Sequence, residues 1–262
     1  NGTISDTSGG SLNVAGITTS IDAGGNDVTL DSASSDFGTV LASNVNDVTL
    51  VDANAIELGG SNISGSLDVT SSGQINQSGG LTVAGSTYLD AGGMGTPSND
   101  ITLTNTQNDF DSDDSGDALT VSRGGALALI DEDNLKISSI NAGNTVEVTA
   151  SAGSITDSAD DAVVDITAGG LITLTADGDI AGAGGGDGYL DLAAGSSVNA
   201  SSLMNGTIDL RGLGGLALSD VETAGGAIDV TAAGQLTATD VVAGGTGANI
   251  VLTTTSGDVL VH

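Results

Sequence analysis

The chain has no cysteine, which excludes a disulfide framework and any thiolate-held metal centre. It has no tryptophan, two tyrosines, two phenylalanines and one proline, Pro97. The single histidine is His262, so no Ser/His/Asp arrangement can be assembled within the chain. Basic residues number three, Arg123, Lys136 and Arg211, against 34 acidic ones, a formal charge of −31. Phosphate backbones would be repelled, so nucleic acid is excluded as a partner. Anionic membrane surfaces are excluded for the same reason. No apolar run reaches the length of a membrane-spanning helix, and direct membrane insertion is not expected.

What is present is glycine, 42 residues of it, and a hydrophobic fraction of 38%. That fraction is too high for a charged disordered tail. Its members are almost all Val, Ile, Leu and Ala, which suit a narrow layered β core.

One pattern recurs. Ile208-Asp209-Leu210 returns as Ile228-Asp229-Val230 after 20 residues and as Ile250-Val251-Leu252 after a further 22. The same apolar–polar–apolar triplet occurs at Val28-Thr29-Leu30, Val48-Thr49-Leu50, Leu67-Asp68-Val69, Leu119-Thr120-Val121 and Val146-Glu147-Val148. Alternation of period two is the mark of a strand with one buried face. A short strand returning at a fixed interval is the mark of a solenoid. The expected fold is therefore all-β, a parallel β-helix of about 20 residues per coil. Parallel crossovers wind right-handed, so a right-handed β-solenoid is expected. Glycine pairs punctuate the units, as at Gly24-Gly25, Gly79-Gly80 and Gly225-Gly226. They are expected to supply positive φ at tight corners.

A longer repeat overlies the short one. Leu12-Asn13-Val14-Ala15-Gly16 returns as Leu81-Thr82-Val83-Ala84-Gly85, Asp36-Phe37 as Asp109-Phe110, and Leu50-Val51-Asp52 as Leu129-Ile130-Asp131. Corner insertions separate the copies, one at Met94–Ser98 and one at the acidic Asp111–Asp117. Phe37 and Phe110 are expected to be core or corner stackers. Near residue 160 the units become richer in Gly and Ala. This is read as a change of repeat character within one solenoid spanning 1–262. The chain opens Asn1-Gly2-Thr3 and stops at Val261-His262 in a strand-like run, so it is expected to be a segment of a longer protein.

Runs such as Asn46-Asp47-Val48-Thr49-Leu50-Val51-Asp52 and Gly65-Ser66-Leu67-Asp68-Val69-Thr70-Ser71-Ser72-Gly73 resemble the repeats of filamentous-haemagglutinin-like bacterial adhesins. The resemblance covers roughly residues 11–160 well, and the rest by composition and period. It implies a right-handed β-helical passenger exported to the cell surface of a Gram-negative bacterium, often by two-partner secretion. It implies a structural, adhesive stalk, with an extracellular glycan or a cell-surface receptor as partner. An alternative role is a filament or surface-layer subunit that associates end to end or laterally.

The densest acidic cluster is Asp109-Phe110-Asp111-Ser112-Asp113-Asp114-Ser115-Gly116-Asp117. Alternating carboxylates in a loop suit Ca²⁺, which takes oxygen ligands, so Asp109, Asp111, Asp113, Asp114 and Asp117 are the candidate metal residues. The loop is not an EF-hand, because Asp114 stands where that pattern needs Gly and Thr120 where it needs Glu. A solvated acidic corner is the plainer reading. Asp131-Glu132-Asp133 and Asp157–Asp161 are weaker versions. Gly182–Gly188 lacks both the spacing of calcium-binding nonapeptides and the Lys of a phosphate loop, and reads as a corner insertion. Carboxylate pairs could hydrolyse glycosides, but few aromatic or basic residues are available to line a groove. The chain is therefore read as non-enzymatic, with no cofactor required.

Overall fold

The computed structural model describes residues 2–6, 10–92, 98–113, 115–159, 161–181 and 188–262. It forms two compact units, Asn1–Asp131 and Glu132–His262. The change of repeat character near residue 160 falls inside the second. Both are parallel β-solenoids of about 20 residues per turn, and no helix occurs among the described residues.

The first unit opens with two long strands that bend round their coils, Asn13–Leu30 and Asp36–Asp52, and then breaks into short strands, as in Leu67–Ser71, Ile75–Gln77 and Leu81–Val83. Each strand pairs in parallel with its equivalent in the next coil. Val28, Val48, Leu67, Thr87 and Leu119 are successive partners along one column, and Leu30, Leu50, Val69, Leu89 and Val121 along the next. Thr29, Thr49, Asp68, Tyr88 and Thr120 lie between them and face outward. The second face stacks Ile56, Ile75, Ile101 and Leu127. The third stacks Val45, Ile63, Val83 and Phe110.

The second unit repeats the plan. Ile208, Ile228 and Ile250 are in register, as are Leu210, Val230 and Leu252. Val28, Leu30, Ile208, Leu210, Ile228 and Val230 are all buried, as the alternation requires. Asp209 and Asp229 between them face outward and are half-buried. Phe37 and Phe110 are both core residues. Each buried Val, Leu or Ile contributes about 1.5–3 kcal/mol relative to exposure. A coil gains this only when a neighbour covers it, so stability is shared along the stack.

The glycine corners work differently from expectation. Gly24 and Gly25 do take positive φ, at 62° and 82°. Gly79, Gly169 and Gly226 do not. There the backbones of successive coils come so close that a Cβ at Gly79 would strike the backbone of Gly60, and one at Gly226 the carbonyl of Gly206. Absence of a side chain, not left-handed φ, is what these corners need.

The outward rows also differ from a simple stack of acids. Asp209 does lie beside Asp229. Elsewhere acids alternate with neutral partners, Asp68 with Thr49 and Tyr88, Glu57 with Thr39 and Asn76, Glu147 with Thr173 and Asp220 with Asn199. Interleaving lowers like-charge contact at coil spacing.

Candidate functional site

After the strand Asp109–Phe110 the chain turns out through Asp111, a non-glycine residue at φ 77°. Asp111, Asp113 and Asp117 each offer a carboxylate oxygen, and these oxygens lie within 4.8 Å of one another. Asp109 stays outside that group, in the strand beside Thr82. Asp114 lies outside the described residues. The loop's own donors hold the carboxylates in place. The Ser115 amide donates to Asp111 Oδ1 at 3.1 Å and to Asp113 Oδ1 at 3.0 Å. The Gly116 amide donates to Asp111 Oδ2 at 3.0 Å. The Ser115 hydroxyl donates to Asp117 Oδ2 at 2.7 Å, and the Ser86 hydroxyl to Asp117 Oδ1 at 2.8 Å. The donor set is all oxygen, which suits a hard divalent cation. Such a cation would share oxygens with amide and hydroxyl donors already present.

Of the weaker acidic runs, Asp131 is fully buried, Glu132 exposed and Asp133 half-buried. Asp160 and residues 182–187 of the glycine run lie outside the described residues, as do residues 93–97 of the proline-bearing insertion.

A second acidic centre lies in the second unit and joins Asp157, from the weaker run Asp157–Asp161, to three residues that the sequence pattern did not mark. Asp157 ends the strand Ile155–Asp157, Asp165 precedes Ile166–Ala168, Asp191 sits in Leu190–Leu192, and Arg211 in Ile208–Gly212. The three aspartates are 1%, 3% and 0% exposed. Asp157 caps the corner that follows it, accepting the amides of Ala159 at 2.9 Å and Asp161 at 3.3 Å. Asp165 Oδ2 accepts the Asp191 amide at 2.7 Å, and its carboxyl hydrogen-bonds that of Asp157. Arg211 is the ladder neighbour of Asp191 and binds both its oxygens, through Nε to Oδ1 at 2.6 Å and through Nη2 to Oδ2. Nη2 also donates to the Asp161 carbonyl at 2.7 Å, and the guanidinium lies 5.7 Å from the Tyr189 ring centroid. Burial is the main reason the Asp165 carboxyl is pushed up to about 8; the charges of Asp157 and Asp191 add to it, and the Asp191 amide opposes it. The pair therefore holds a proton at neutral pH.

Two further buried aspartates act as caps. Asp52 Oδ2 accepts the Phe37 amide at 2.6 Å and Asp131 Oδ1 accepts the Phe110 amide at 2.8 Å. Burial raises the Asp52 carboxyl above its ordinary value. Asp52, Asp131 and Asp157 share a signal that could have revealed them. Each stands at the end of a strand on inward parity, where the alternation calls for an apolar residue, as in Val48-x-Leu50-x-Asp52 and Leu127-x-Leu129-x-Asp131.

A family model described as repeats of unknown function (DUF5649) matches residues 1–44 and 45–122. No curated protein and no solved structure matches the chain.

Proposed function

We propose that this chain is a structural, adhesive stalk segment of a secreted fibrous protein at the cell surface of a Gram-negative bacterium, and that it is not an enzyme. The observation that carries the reading is the unbroken register of inward columns in both units, from Val28 to Leu119 and from Ile208 to Ile250. Such stacking gives a stiff element whose length follows the number of coils. The paired carboxyls of Asp157 and Asp165 lie under the surface, sealed from substrate, and serve to hold a corner. Two of the three basic residues are consumed by ion pairs, Arg123 with Asp90 at 2.7 Å and Arg211 with Asp191. The outer surface is therefore strongly anionic. It favours divalent cations, with Ca²⁺ at Asp111, Asp113 and Asp117, and an uncharged or cationic surface partner. The test is attachment. Beads carrying the native secreted protein should bind host or bacterial cells, and deletion of these coils should shorten the fibre without abolishing its secretion. A fibre of unchanged length would overturn the stalk reading.

A further inference from the structure

The second unit carries an open groove of about 450 Å³ that none of the roles above uses. Its floor is the stacked corner backbone of Gly153, Gly178 and Gly206. These corners touch: the Gly178 amide donates to the Gly153 carbonyl at 2.8 Å. A Cβ at Gly178 would strike the Ser154 hydroxyl, and one at Gly206 the Gly178 carbonyl. The floor therefore stays free of side chains.

The walls are polar and partly uncommitted. Asp177 and Asn205 make no side-chain hydrogen bond among the described residues. Asn134 spends its Oδ1 on the Ser154 amide at 3.0 Å, which leaves its NH₂ as a donor. Asp179 spends Oδ1 on the Thr207 amide at 2.7 Å, which leaves Oδ2 as an acceptor. Beside them Met204 exposes 58% of its surface, far more than a thioether normally shows in a soluble protein. The groove thus pairs carboxylate acceptors with amide donors around one apolar contact.

We propose that this groove binds one or two rings of an uncharged saccharide. Adjacent ring hydroxyls each donate and accept, and so match Asp177 and Asn205 on one side of the glycine row and Asn134 and Asp179, which share a row through the register of Leu135, Ile155, Ile180 and Ile208, on the other. Met204 packs against the ring C–H face. Two carboxylates within a chain of charge −31 turn away sulfated or uronic sugars. The volume lies within the range of small-ligand sites. An open, shallow groove without aromatic platforms gives millimolar affinity, which becomes useful only through many copies along a surface. The proposal stands apart from the stalk reading, since it concerns one groove of one unit and is tested on the isolated chain.

The experiment is an amide-resolved NMR titration of the ¹⁵N-labelled chain. The probes are maltotetraose, cellotetraose and chitotetraose, with tetragalacturonate as the charged counterpart. At least one neutral probe should shift the amides of Asp177, Asp179, Met204 and Asn205, and tetragalacturonate should not. Asp177→Ala and Asn205→Ala, both at side chains the fold does not use, should keep the spectrum dispersed and weaken binding about three- to ten-fold. The proposal fails if none of the three neutral probes shifts these amides. It fails equally if the shifts lie elsewhere, if tetragalacturonate binds as well, or if both variants bind like the parent.

Discussion

The backbone amide of Phe110 donates to the buried carboxylate of Asp131, 21 residues further along the chain, at 2.8 Å. Phe37 and Asp52 make the same bond at 2.6 Å. Both pairs come from the longer sequence repeat, in which Asp36-Phe37 and Leu50-Val51-Asp52 return as Asp109-Phe110 and Leu129-Ile130-Asp131. The repeat thus preserves a cap between coils as well as an apolar pattern. Asp52 also accepts the Asn54 amide at 2.6 Å, so removal of its carboxylate strands two donors. Asp52→Ala should destabilise the chain by about 1–3 kcal/mol, and Asp52→Asn, which keeps one acceptor oxygen, by less. Chemical denaturation of the two variants checks the order; equal losses would mean that the acceptor oxygen kept by Asp52→Asn does not hold the cap.

The faces of the second unit give a sharper contrast. Leu210 is fully buried between Leu190 and Val230 in the ladder, whereas Asp209 faces outward beside Asp229. Leu210→Asp would place an unpaired carboxylate in the column, at a cost of several kcal/mol. Asp209→Ala should change stability by no more than about 0.5 kcal/mol, since it removes a bond from Thr207 and a like charge together. The comparison is two melting curves. Comparable losses from both would refute the assignment of inward and outward faces.

The Asp157–Asp165 pair makes stability depend on pH. The folded Asp165 carboxyl titrates near 8, above the 3.8 of a free aspartate. The folded state therefore holds a proton that the unfolded state has released between those values. Stability from this group is full below the ordinary carboxyl range and is lost as pH rises towards about 8. The slope approaches about 1.4 kcal/mol per pH unit at most. The midpoint of melting should fall as pH rises from 5 to 8 (roughly the span between the two titrations). Asp165→Asn, neutral at every pH, should flatten that dependence. An unchanged slope in the variant would remove the shared proton from the account.

Charge and cations form the last prediction. A formal charge of −31 leaves repulsion that ions must screen. At about 5 Å in water a like-charge pair such as Asp209 and Asp229 repels by roughly 0.8 kcal/mol. Raising NaCl should raise the melting midpoint. CaCl₂ at matched ionic strength should raise it further, and Asp111→Asn with Asp113→Asn should abolish only that increment, because they remove carboxylates from the clustered loop. Equal midpoints in the two salts would leave screening alone; a midpoint that falls with NaCl would contradict the repulsion itself.

The architecture follows from the spacing of the apolar pattern. Alternation of period two, repeated about every 20 residues, leaves one consistent stacking. A slip of one residue would turn every Val, Ile and Leu of a strand outward. The columns through Ile208, Ile228 and Ile250 could therefore be read directly from the spacing. Inward parity marks Asp52, Asp131 and Asp157, but contacts between coils alone put Asp165 and Asp191 inside. Asp52, Asp131, Asp157, Asp165 and Asp191 have the same side chain as the many exposed aspartates. What separates them is the partner a neighbouring coil presents. That partner is 15 residues away for Asp52, 26 for Asp165 and 20 for Asp191. An amide or guanidinium that arrives from such a distance offsets the desolvation of a carboxylate, and its arrival depends on corner lengths that local pattern does not fix. The same holds for the glycines, whose need is set by how closely one corner rests on the next.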